Sequence, residues 1–216
     1  GLPLLPMGET AVRTPTQSRG KRTRQRLVAA AQQEFSARGY AHATAASIAR
    51  RAGAATGTFY QYFTGKDAVL HELAADRARS IGERVIALLE QPQDRRVTRE
   101  SEVRTRMGAV VDAVVDYHRE DPGLHAVLTE RRHADPALDA LTARAERALV
   151  AQIAELLAGF GHPGDREATA FVLFGMVEGA VHAHVLGQPL VSDERFNRAL
   201  VDAMVRVALA TSEGES

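Results

Sequence analysis

Apolar residues recur every three to four positions along most of this chain, and proline and glycine interrupt them where helices would end. Leu27, Ala31 and Phe35 make the inward stripe of a first helix over residues 23–38, stopped by Gly39. Thr44 is placed to cap a short second helix in which Ile48, Ala49 and Ala52 fall at helical spacing. Gly53 supplies the positive φ that ends it, and Phe59 and Phe63 give a third helix one buried stripe. Tyr40 reads as a core aromatic between the first two. A fourth helix runs from Lys66 toward Glu90 on Val69, Leu70, Leu73, Ile81, Val85 and Leu88, and Pro92 halts it.

Residues 93–100 are polar and read as a loop. A fifth helix follows over residues 103–118, with Met107, Val110, Val111, Val114 and Val115 inward. Asp121-Pro122-Gly123 breaks it, and a short sixth helix ends near Arg132. Asp135 as cap and Pro136 at the first helical position open a seventh, which closes at Gly159-Phe160-Gly161. Residues 165–187 are apolar nearly all round, and a last helix spans about 193–210. No stretch alternates as a strand would. The pattern predicts an all-α fold, an N-terminal three-helix helix-turn-helix head (residues 21–66) on a larger C-terminal helical body (residues 67–216).

Residues 1–20 contain Pro3, Pro6 and Pro15 without periodicity, so they are expected to be a flexible segment. Met7 is a candidate native start, which would make residues 1–6 foreign to the protein. The opening Gly-Leu-Pro-Leu-Leu-Pro is too short and proline-broken for a signal peptide. The chain has no cysteine, which removes disulfides, thiolate metal ligands and a cysteine nucleophile, and suits a reducing cytoplasm. No apolar run reaches the roughly 18–20 residues that span a bilayer.

The zero net charge conceals a division. Residues 1–66 hold ten Lys/Arg against two Asp/Glu, and residues 67–216 hold seventeen against twenty-five. A basic head on an acidic body suits phosphate binding, because Lys and Arg release counterions condensed on DNA. Arg19, Lys21, Arg22 and Arg24 form a basic arm entering helix one, and Arg50 and Arg51 flank the turn. A short helix bearing hydroxyl and aromatic groups, propped across a first one, is the layout that lays side chains into a DNA major groove.

Thr44, Ile48-Ala49, Ala52-Gly53, Gly57-Thr58-Phe59-Tyr60, Tyr62-Phe63 and Lys66 fall in one ungapped window. In this window the chain resembles the tetracycline-repressor (TetR) family of bacterial transcription regulators, over roughly residues 21–70. The resemblance implies an all-helical homodimer with a DNA-reading head and a body that binds small molecules. It places Thr44, Tyr60, Tyr62 and Lys66 on phosphates, with Arg22 in the basic arm. Thr56, Gly57, Thr58 and Gln61 would face base edges, Gln61 suiting adenine and Thr56 a thymine methyl. Two positions depart from the family pattern. Ser47 stands where Asp or Glu usually completes a capping box with Thr44, and Ala55 where Ser often caps the third helix.

Gly175 and Gly179, four apart in the apolar eighth helix, would let a second helix approach closely; Glu167, Glu178 and the histidines there point to a helix bundle. The resemblance implies that the last two helices pair with a two-fold mate, so a homodimer reading a near-palindromic double-stranded operator is expected. In the body, Tyr117, His118, His125, His133, Glu178, His182 and His184 are polar groups in apolar surroundings. Each is either an effector anchor or a satisfied internal bond. Tyr117, His118, Phe174, Glu178 and His182 are the candidate ligand-binding set, for an apolar or aromatic small molecule. His182 and His184 point to different sides of a helix, and Glu178 with His182 lacks an evident third ligand, so no metal and no cofactor are expected.

Two other readings stay open: a DNA-binding regulator or architectural protein with no small-molecule ligand, whose body would be packed solid, and a helical enzyme using Glu178 and His182. No nucleophile elbow, Gly-rich phosphate loop or metal triad supports the enzyme.

Overall fold

Positive φ at Gly39 (72°) kinks the first helix three residues before its end, and positive φ at Gly53 (65°) lies in the turn between the second and third helices of a helix-turn-helix head. The protein is seen here as a computed structural model, which describes residues 15–92 and 96–210. In chain order the described helices are α1 (Pro15–His42), α2 (Ala45–Arg51), α3 (Thr56–Tyr62), α4 (Lys66–Leu89), α5 (Arg99–Glu120), α6 (Pro122–Arg132), α7 (Pro136–Gly159), α8 (Arg166–Val185) and α9 (Asp193–Ala208). No strand occurs among the described residues.

Starts and stops largely follow the expected caps. Asp135 accepts from the amides of Ala137 (3.0 Å) and Leu138 (3.1 Å) to open α7, with Pro136 in the first turn. Three boundaries differ. α1 begins at Pro15 rather than near Thr23, so only residues 1–14 of the expected flexible segment remain unassigned, and they lie outside the described residues. α5 begins at Arg99, because the Thr98 hydroxyl accepts from Ser101 N (3.2 Å) and starts the helix a turn earlier. The third difference is at Ser47, which does close a capping box. Its Oγ accepts from Thr44 N (3.0 Å), while Thr44 Oγ1 accepts from Ser47 N (3.0 Å). Ala55, as expected, gives α3 no side-chain cap.

Two apolar cores hold the molecule. The body core joins Val85 and Leu89 of α4 to Val110, Val111 and Val114 of α5, Leu157 of α7, Leu173, Val177 and Val181 of α8, and Met204 of α9. The head core contains Leu27, Phe35, Ile48, Phe59, Phe63, Val69 and Leu70, and also takes in Leu124 and Val127 of α6 and Leu138 of α7. The head is therefore not sealed at residue 66; α6 and the start of α7 belong to its core.

α8 is long and apolar enough to cross a membrane by length and composition alone, with mean hydropathy 1.3, contrary to the expectation that no run was. Here it packs against α5, α7 and α9, with His184 buried, His182 half-buried and the Glu178 side chain 45% exposed. Its outer stripe, Phe171, Val172, Gly175 and Gly179, is exposed and apolar.

Candidate nucleic-acid interface and effector cavity

α3 presents one open face because its opposite face is consumed by packing. Phe59 and Phe63 are buried in the head core, 5.6 Å apart, and this leaves Thr56, Gly57, Tyr60 and Gln61 exposed in a row. Thr58 and Tyr62 are half-buried, and Gly20 of α1 lies against Tyr62, where a Cβ would come 3.7 Å from its hydroxyl. Thr44 and Arg22 are exposed on the same head.

Much of the head's positive charge is committed internally. Arg26 reaches across to the carbonyls of Ala52 and Gly53, fastening the turn between α2 and α3 to α1. Arg51 pairs with buried Glu34 at 2.6 Å, and that contact holds the Glu34 carboxyl below its ordinary value against the opposing effect of burial. Arg24 forms a two-pronged ion pair with Glu72 on α4. Lys66 turns inward as well: its ammonium donates to the carbonyls of Tyr40 (2.7 Å) and Ala43 (3.1 Å) and lies 4.0 Å from the Tyr40 ring centre. Tyr40 is thus a junction residue, stacked on Phe35 and bonded to Asp67. Burial and the Asp67 carboxylate push its phenol up to about 12.

The body holds a partly open cavity of about 160 Å³ among α4, α5, α7, α8 and α9, walled by Ile81, Val85, Val110, Leu149 and Leu173. Tyr117, Phe174 and Glu178 of the expected ligand set line it. A wider cleft of about 770 Å³ adjoins it, sharing Tyr117, Glu146 and Glu178 and adding His125 and His182. His118 is fully buried beside them, so the structure brings the whole set to one end of the body.

The expected partnership of Glu178 with His182 is displaced by one with His118, whose Nε2 is 3.7 Å from Glu178 Oε1. Burial pulls His118 down, but the Glu178 carboxylate and the Val114 carbonyl outweigh it and hold the ring above the usual histidine range. Burial likewise pushes Glu178 up, yet His118 keeps it below the ordinary carboxylate value. His125 is driven down to about 4 by burial and by its neighbours His118 and His182. His184, buried, turns away to Asp193 (2.8 Å) and stacks on Phe196. Sequence reasoning missed the association of three histidines: one nitrogen from each of His118, His125 and His182 lies within 4.8 Å of the others. They come from α5, α6 and α8, and nothing local in the chain announces the meeting.

A head of this shape, with one polar helix face held open beside a basic first helix, defines a helix-turn-helix protein. Residues 27–73 match the family described as bacterial regulatory proteins, tetR family. Residues 103–207 match the tetracyclin repressor-like C-terminal domain. The chain belongs to the tetR family. An uncharacterized HTH-type transcriptional regulator of Bacillus subtilis, YdgC, is 39% identical over 72 residues, or 32% of this chain. The chain spans only 37% of that relative's length. Among solved structures, a TetR-family transcriptional regulator from Mesorhizobium loti superposes with a TM-score of 0.72 at 22% identity, over 89% of this chain and 97% of that one. The fatty acid degradation regulator FadR from Bacillus halodurans gives 0.64 at 21% identity, over 89% and 97%. Both share the fold.

Proposed function

We propose that this protein is a homodimeric transcription repressor that binds a near-palindromic operator through α3 and is released by a small apolar effector. The observation that carries the reading is the exposed row Thr56, Gly57, Tyr60 and Gln61 on a helix fixed by Arg26 and by the Phe59–Phe63 stripe. Side chains held on a rigid short helix are what a major groove admits. Gln61, Thr56, Thr58 and Gly57 face the bases in this reading, and Thr44, Tyr60, Tyr62 and Arg22 face phosphates. Lys66 contributes there through its backbone amide at the start of α4, since its ammonium holds the C-terminal end of α1.

The outer stripe of α8, with Phe171 at 66% exposure and Gly175 and Gly179 open, is read as the dimer surface. Such a regulator works in the cytoplasm, beside its DNA. The apolar cavity favours a ligand-gated regulator over an architectural protein, whose body would be solid. An apolar or aromatic molecule suits its walls. Release would run through two joints: α4, continuous from head to body, and α6, which lies in the head core. Selection of bound fragments from genomic DNA, then a screen for metabolites that weaken the complex, tests this. Failure to enrich any fragment at moderate salt would overturn it.

A further inference from the structure

His125 Nε2 and His182 Nδ1 stand 3.3 Å apart. Two nitrogens bound to one tetrahedral Zn²⁺ at about 2.0–2.1 Å are themselves separated by roughly 3.3 Å, so this pair already spans one edge of such a site. The third histidine is pre-oriented. His118 is fully buried, and its Nδ1 is held at 2.8 Å on the Val114 carbonyl, which fixes that nitrogen as donor. Anchoring one ring nitrogen on a backbone carbonyl is how metal-bound histidines are set in tautomer and direction. The other nitrogen, Nε2, is buried without a hydrogen-bond partner. A buried polar atom left in that condition calls for a missing neighbour. Glu178 Oε1, 3.7 Å away, supplies a carboxylate on the same side.

We propose that His118, His125 and His182, with Glu178 as fourth donor, form a binding site for a divalent transition-metal ion of the Zn²⁺ class. Three imidazoles and one carboxylate are nitrogen and oxygen donors of intermediate softness, which suit zinc and its neighbours rather than magnesium or calcium. The widest ligand separation, 4.8 Å, closes by small rotations of the two half-buried rings, His125 and His182. A hydrogen-bonded histidine cluster without an ion accounts for the His125–His182 contact but leaves His118 Nε2 without a hydrogen bond, with the Glu178 carboxylate 3.7 Å away.

The site also ties together three helices, one of which leads to the head. His125 lies one turn beyond Asp121, and Asp121 holds Ser36 and Gln32 of α1. An ion that clamps α6 to α5 and α8 therefore bears on the position of α1. That consequence rests on the operator-binding reading above; ion binding itself does not.

The test uses the full chain without an affinity tag, stripped by a chelator, titrated with Zn²⁺ by calorimetry and with Co²⁺ by visible absorption. One ion per protomer and the intense d–d bands of tetrahedral Co²⁺ are expected. His125→Ala and His182→Ala, at half-buried positions, should each weaken binding by about 10-fold or more and erase the bands. His42→Ala, at an exposed position in the head, should bind as the parent does. Absence of tetrahedral bands in the parent, or parent-like affinity in the His125→Ala/His182→Ala double variant, overturns the site. If the ion binds in this way but leaves operator affinity unchanged, the site stands and only its coupling to the head falls.

Discussion

The Asp121 carboxylate at the start of α6 accepts a hydrogen bond from Ser36 Oγ in the middle of α1, at 2.7 Å from one oxygen and 2.8 Å from the other. The same carboxylate caps its own helix through Leu124 N (2.9 Å) and accepts from Gln32 (2.9 Å). Body and head are thus joined at a residue that does local and long-range work together. Two residues on, a Cβ at Gly123 would stand 2.4 Å from the Ser36 carbonyl oxygen and 2.9 Å from Ser36 Cα. The two helices touch backbone to backbone there.

Gly123→Ala should therefore destabilise the protein by about 1–3 kcal/mol, since backbone on both sides cannot yield as a side chain would. Gly82 offers the contrast: it lies inside α4 with nothing within 4 Å of an added Cβ. Gly82→Ala should stabilise by about 0.5–1 kcal/mol through helix propensity. Thermal unfolding separates the two, at roughly 2–4 °C per kcal/mol for a chain of this size.

The joint also has a pH signature. Burial raises the Asp121 carboxyl, but Gln32, the Leu124 amide and Ser36 overcome this and hold it below its ordinary value. A depressed carboxylate contributes stability that is complete above its unfolded pKa and is lost as pH falls through the folded one. Asp121→Asn should thus be less stable than the parent at pH 7. The gap should shrink as denaturant unfolding is repeated at progressively more acidic pH. A gap that does not change with pH would contradict the ionic role.

Capping offers a paired test in the head. Ser47→Ala removes the half of the box in which Ser47 Oγ accepts from Thr44 N, leaves the bond from the residue 47 amide to Thr44 Oγ1, and should cost about 1 kcal/mol. Ala55→Ser supplies α3 with the side-chain cap it lacks and should gain a comparable amount. Equilibrium unfolding measures both, and a loss on Ala55→Ser would show that the α3 start is held by something other than its cap.

Helix ends written in local chemistry were legible. Asp135-Pro136, Gly39 and Gly53 each act within one turn, so the chain itself reports the break. Ser47 misled because the shorter serine reaches the Thr44 amide as well as a carboxylate would. The start of α1 was hidden because residues 15–22 lack an apolar stripe. The row on α3 was readable from the Phe59–Phe63 spacing, whereas the inward turn of Lys66 depends on carbonyls at residues 40 and 43, across a bend. The histidine cluster was out of reach for the same reason: His125 and His182 are 57 positions apart and meet only when α6 and α8 pack around α5.

The outer stripe of α8 predicts the oligomer. Phe171→Glu should give monomers in analytical ultracentrifugation while leaving each protomer folded, since Phe171 is already exposed. Gly175→Leu should do the same, because an added Cβ meets nothing within its own chain but would block a close helix from a second copy. Dimers that persist in both variants would place the interface elsewhere.

Fluorescence anisotropy on a selected genomic fragment, with unrelated duplex of equal length as reference, tests the central claim most directly. The parent should bind as two protomers per site, about 10³-fold or more tighter than to the reference, with affinity falling steeply as salt rises. Gln61→Ala should cost about 1–3 kcal/mol on the selected fragment and leave reference binding unchanged. Equal affinity for both duplexes, or no loss on Gln61→Ala and Tyr60→Ala together, would contradict the assignment of α3 as the reading helix.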